Sequence, residues 1–254
     1  MVDLLLILMM CVSTATSCSY QYTVTVLQTG EKSAVYSEDL CKQVMQPATG
    51  SFVIKCVPFN GYRGSGFDMA LTAQDIPQAT ELVQQWLEQV VIGLNLCPFA
   101  HKPWRDGQVR ILVSLVDTEE EALALMVEEL KGLDDSQPEV LETTILAFPN
   151  LWPEFLDYND FLDLADACLV SIDRVDQYQI ASFHPHYQFG GTQPEDAENL
   201  TNRAPFPLLH LLREASVAAA IERHPDADGI PDRNIRRVCE LSEKERRALF
   251  PWLS

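Results

Sequence analysis

His184 and His186 stand at alternate positions in ASFHPHYQFGGT, and His210 and Glu214 follow four apart in TNRAPFPLLHLLREAS. Residues two apart on a strand point to one side, and residues four apart on a helix share a face. Two or three imidazoles with a carboxylate make a workable set for a divalent zinc, iron or manganese ion, so His184, His210 and Glu214 are candidate metal ligands. The same three can serve as acid–base groups. The plainer alternative holds His184 by backbone hydrogen bonds at a strand end, leaves His186 in solvent, and pairs Glu214 with Arg213 or a lysine.

Two further chemistries compete with the metal. Cys97, between Leu96 and Pro98, becomes a nucleophile if His184 or His210 lies beside it to draw off its proton; otherwise it is a small buried hydrophobe. Asn202, Arg203 and Arg213, with the start of a helix after Pro205 and Pro207, offer amide donors, guanidinium forks and a helix dipole to a small anionic ligand. Against that, the arginines can neutralise Glu195, Asp196 and Glu198 across the loop. The run Asp157, Asp160, Asp163, Asp166 reads as one solvated helix face. Asp226, Asp228 and Asp232 read as an acidic turn, because no bidentate Glu follows at a calcium-loop offset. Asn199-Leu200-Thr201 is a glycosylation sequon inside the candidate site, where a glycan would block it.

The elements that must position these residues alternate. A helix runs from about Ile76 to Gly93 on apolar positions Ile76, Ala79, Leu82, Val83, Trp86, Leu87 and Val90, preceded by Thr72 and Asp75 as turn and capping residues. Strands are expected at 108–116, 142–148 and 178–183, helices at 118–133, 152–170 and 206–224, and short helices near the C-terminus. Strands separated by helices imply parallel pairing. The expected fold is α/β, a small, mainly parallel sheet with helices packed on it, and Phe148, Pro149, Asn150 and His184 meet at its carboxyl edge in one cleft. His210 and Glu214 fall on the 206–224 helix, with Arg213 beside them.

Charge excludes some partners. Eighteen Lys and Arg against 37 Asp and Glu leave a net charge of −19 over 254 residues, which disfavours nucleic acid and anionic membranes. Seven widely spaced cysteines without a CxxC pair suit reduced thiols and a cytoplasmic protein. The apolar run from Leu4 to Met10 is too short to span a bilayer, for which a helix needs about 20 residues. It resembles a signal peptide but lacks a basic start, so organelle targeting or secretion is the alternative location. Residues 1–68, β-rich in pattern (YQYTVTV, SFVIKCV) and closing on the linker NGYRGSGF, form an N-terminal extension, either a targeting segment or an over-extended gene model with Met69 as a natural start. Residues 69–254 are then a single α/β domain.

VIGLNLCPFA, FLDYNDFLDLAD, ASFHPHYQFGGT and TNRAPFPLLHLLREAS, in that order, resemble the uncharacterised, mainly bacterial family catalogued as domain of unknown function 1415, over about residues 76–248. That family often carries Asp at the position of His186 and Ser at that of Ala204. The departure favours His184, His210, Arg203, Arg213 and Glu214 over His186. The resemblance implies no established reaction. The residues themselves support an enzyme-like domain acting on a small anionic substrate by acid–base or metal-assisted, hydrolase-like chemistry, with a non-catalytic ligand-binding or protein-interaction module as the alternative; oligomeric state is left open.

Overall fold

A four-stranded sheet in the order β1-β2-β4-β3 organises the chain: β1 is Val109–Val113, β2 Thr143–Ala147, β3 Tyr178–Phe183 and β4 Leu208–Arg213. The computed structural model describes residues 70–253, so the expected extension over residues 1–68, its linker and Met69 lie outside the described residues. Strand β1 pairs β2 in parallel, while β4 runs antiparallel to both β2 and β3. The α/β class holds, but the sheet is mixed instead of mainly parallel.

The cause is the stretch LLHLLR, which forms β4 and not a helix. Leu208, Leu209 and Leu211 are all 0% exposed, because β4 fills the gap between β2 and β3 and is covered on both faces. A central strand of this kind reads as an unbroken apolar run, which periodicity alone does not separate from a buried helix. The helix begins only at Glu214.

Helices α3, Glu119–Asp134, and α4, Phe155–Ser171, cover one face. Ala122, Met126, Leu130 and Leu133 of α3 meet Tyr158, Phe161, Ala165 and Leu169 of α4 over Leu146, Ile180, Leu209 and Leu211. Thr118 caps α3 by accepting the Glu121 amide, and three glutamates fill its first turn, where the helix dipole favours negative charge. The other face carries helix α1, Ile76–Trp86, and the C-terminal helices α6, Ile230–Cys239, and α7, Glu243–Leu249. Ala79, Val83 and Trp86 pack there with Ile145, Ala181, Phe183, Leu208, Val238 and Phe250.

Helix α1 continues as a π-turn, Leu87–Ile92, closing at Gly93. A Cβ at Gly93 would lie 2.4 Å from the Gln89 carbonyl oxygen, so only glycine fits the tightened turn. Asn95, with φ of 57°, then turns the chain into the Cys97 loop and the short helix α2, His101–Arg105. Helix α5, Glu214–Arg223, follows β4 directly and contributes no buried residue. No helix among the described residues is long and apolar enough to cross a membrane.

Candidate functional site

The loops after β2 and β3 meet at one sheet edge, as their parallel direction requires, but rings fill the expected cleft. His184 is 1% exposed. Its Nε2–H donates to the Trp152 carbonyl at 2.8 Å, and its Nδ1 accepts the His186 amide at 3.0 Å. Those partners define the neutral Nε2–H tautomer and occupy both nitrogens. The ring stacks on Tyr158 at 5.3 Å and touches Phe155. Burial, opposed in part by the Trp152 hydrogen bond, lowers its pKa to about 4. His184 is therefore a clasp between two loops, holding Trp152 in a left-handed backbone conformation with φ of 49°; His186 is exposed.

Asn202, Arg203 and Arg213 are likewise engaged. Asn202 donates its side-chain amide to the Ser182 carbonyl, and its own carbonyl accepts the His184 amide, so the 3₁₀ turn Ala197–Asn202 extends β3. The Arg203 guanidinium donates to the carbonyls of Tyr187 and Pro194. Arg213 Nη2 donates to the carbonyls of Leu133, in the last turn of α3, and of Ser136 and Leu141, in the segment leading to β2, at 2.6, 2.9 and 3.1 Å. The expected anion fork is thus directed at main-chain oxygens. Asn199 is 0% exposed, and its amide bonds Phe189, Thr192 and Gln193, so the sequon asparagine organises the loop. Asp226 pairs with Arg233.

The helical His210–Glu214 pair is replaced by a strand residue and the first residue of α5. His210 pairs with Ile145 and Ala181, both members of the core beneath α1, whereas the rings around His184 belong to the core beneath α3 and α4. The two imidazoles lie on opposite faces of the sheet. Among the described residues no three His, Cys, Asp or Glu side chains converge to hold an ion, so the His184–His210–Glu214 metal set is not assembled. Cys97 is a free thiol pushed up by burial, against the Phe99 and Ala100 amides that point at it. His184 cannot serve as its base with both nitrogens occupied, and the raised pKa keeps it a thiol.

Among the described residues six buried side-chain atoms lack a hydrogen-bond partner: Gln179 Nε2, Ser182 Oγ, His210 Nε2, Arg213 Nε, Arg246 Nε and Trp252 Nε1. His210 Nε2 is buried without a hydrogen-bond partner, and so is Nε2 of Gln179 on the adjacent strand. Gln179 pairs with Leu212 and Ala181 with His210, which makes Gln179 and His210 diagonal neighbours on one face, roughly 7 Å apart by strand geometry. Burial alone lowers the His210 pKa to about 4, so the imidazole is neutral near pH 7 and can donate or accept. Each orphaned polar group costs about 1–3 kcal/mol.

A family model described as "Protein of unknown function (DUF1415)" matches residues 78–248. The chain belongs to that family. No curated protein and no solved structure matches. The family segment contains all four strands, His184, His210 and Gln179. Gln179 escaped the sequence reading, as did Tyr158, whose hydroxyl donates to the Leu208 carbonyl and accepts the Phe183 amide where β3 and β4 begin to separate. The signal for Gln179 was present: a glutamine in register with Ala181 and Phe183, inside a strand whose other positions are apolar or small.

Proposed function

We propose that this chain is a small-molecule binding module whose ligand docks on the sheet face at His210 and Gln179. The observation that carries the reading is the diagonal of two buried polar groups without partners. Folding tolerates such groups where a ligand supplies the missing bonds. The amide of Gln179 donates and neutral His210 donates or accepts, so the ligand offers a carbonyl or carboxylate oxygen beside an apolar body. The enzyme reading has less support: His184 is engaged in holding the fold and lies across the sheet from His210, and burial raises the Cys97 pKa and so favours its thiol form. A reducing, cytoplasmic setting suits the module: Cys97, Cys168 and Cys239 are unpaired, and the buried Asn199 leaves no room for a glycan.

The test is nitrogen-edited NMR of the histidine rings and glutamine side chains in the full chain, titrated with benzoate, benzamide and nicotinamide. Binding should move the His210 Nε2 and Gln179 amide signals, leave His184 unmoved, and vanish in folded His210→Leu and Gln179→Leu proteins. Binding that persists in both variants, or no shift from any of the three probes, refutes the reading.

A further inference from the structure

Helix α4 turns an unusual face to solvent. Its inner positions are core, but Leu156 is 72%, Leu164 48% and Val170 62% exposed. Leu156, Asp160, Asp163, Ala167 and Val170 recur at alternating four- and three-residue steps, the spacing of a helix-docking seam, over roughly 21 Å. Apolar side chains hold the two ends of that seam and carboxylates its centre, with Leu164 and Asp157 on one flank and Asp166 on the other.

Among the described residues the carboxylates have no paired counter-charge. Helix α4 contains no lysine or arginine, and none of the ion pairs among the described residues includes its aspartates, although Asp106, Asp134, Asp226 and Glu243 elsewhere are paired. Asp166 is pushed up from its usual range by partial burial and by the neighbouring Asp163 carboxylate. Apolar area left in water and like charges left side by side both favour an occupant that covers one and neutralises the other.

We propose that this face of α4 docks a cationic amphipathic helix of a partner protein, with lysine or arginine opposite Asp160 and Asp163 and apolar side chains opposite Leu156, Ala167 and Val170. The pattern sets partner chemistry by charge and register by the apolar ends. It is independent of the ligand site, which lies on the sheet face away from α4.

The probe is a fluorescent helical peptide with leucines along one face and two lysines at that face's centre, titrated against the full chain by anisotropy at about 150 mM salt, where long-range attraction is screened. A control peptide carries glutamate for lysine. Expected are binding of the lysine peptide only, weakening of at least about tenfold in Asp160→Lys/Asp163→Lys and in Leu156→Ser/Val170→Ser, and little change in Glu120→Lys/Glu121→Lys on α3. Each α4 change is at an exposed position, and circular dichroism checks folding. Equal weakening by the α3 variant would mean general attraction to net charge and overturns the proposal, as does unchanged binding in either α4 variant or no binding by wild type.

Discussion

Replacing His210 by leucine should make the protein more stable, and replacing His184 by leucine should make it much less so. In β4 the His210 ring lies between Ile145 and Ala181 with Nε2 unpartnered. Leucine there removes a desolvation cost of about 1–3 kcal/mol and adds apolar contact, so a gain of about 1–2 kcal/mol is expected at pH 7.5. Leucine at 184 instead orphans the Trp152 carbonyl and the His186 amide, both held now by the imidazole. Two lost hydrogen bonds, one of them leaving the buried Trp152 carbonyl without a donor, cost about 2–4 kcal/mol. The pH dependence separates the two further. Both folded pKa values are about 4 against an ordinary 6.5, so below pH 6.5 the unfolded chain takes up protons that the folded chain refuses. Stability is full above pH 6.5 and falls as pH drops toward 4, by up to about 1.4 kcal/mol per pH unit for each histidine. Urea unfolding of the full chain, followed by tryptophan fluorescence from pH 7.5 to 5, should give a slope that halves in either variant. A His210→Leu protein less stable than wild type by more than about 1 kcal/mol at pH 7.5, or one whose slope is unchanged, would refute the assignment of that ring as buried and unpaired.

Arg213→Met keeps the aliphatic stem but removes the donor shared by the carbonyls of Leu133, in the last turn of α3, and of Ser136 and Leu141, in the segment that follows; denaturant titration should show a loss of about 2–4 kcal/mol, where a ligand-binding arginine would show almost none. Among glycines, Gly93→Ala and Gly132→Ala should move in opposite directions. A Cβ at Gly93 meets a backbone oxygen at 2.4 Å and should lower the melting temperature by several degrees, while the nearest atom at Gly132, within α3, is 3.9 Å away, so alanine there should gain about 0.5–1 kcal/mol.

Local pattern sufficed for much of the scaffold. The expected strand at 178–183 coincides with β3, the helix expected at 118–133 is α3 within a residue, β1 and β2 fall inside their expected ranges, and α4 starts three residues inside its range and ends one residue past it. Each is bounded by turn residues and carries its own period, so sequence neighbours alone determine it. The family motifs were equally legible, being contiguous strings. The strand β4 was not, because LLHLLR satisfies a buried helix and a central strand equally well, and only the open edges of β2 and β3 decide between them. That one assignment moved His210 from a helix face shared with Glu214 to the opposite side of the sheet from His184. Which polar groups are free is likewise a tertiary matter. Arg203, Arg213 and His184 look available in the sequence, yet distant carbonyls claim them, while Gln179 looks ordinary and is left unpaired. A hydrogen-bond partner 80 positions away in the chain, as Leu133 is from Arg213, leaves no trace in local pattern, since the fold brings the two together only after the sheet has closed.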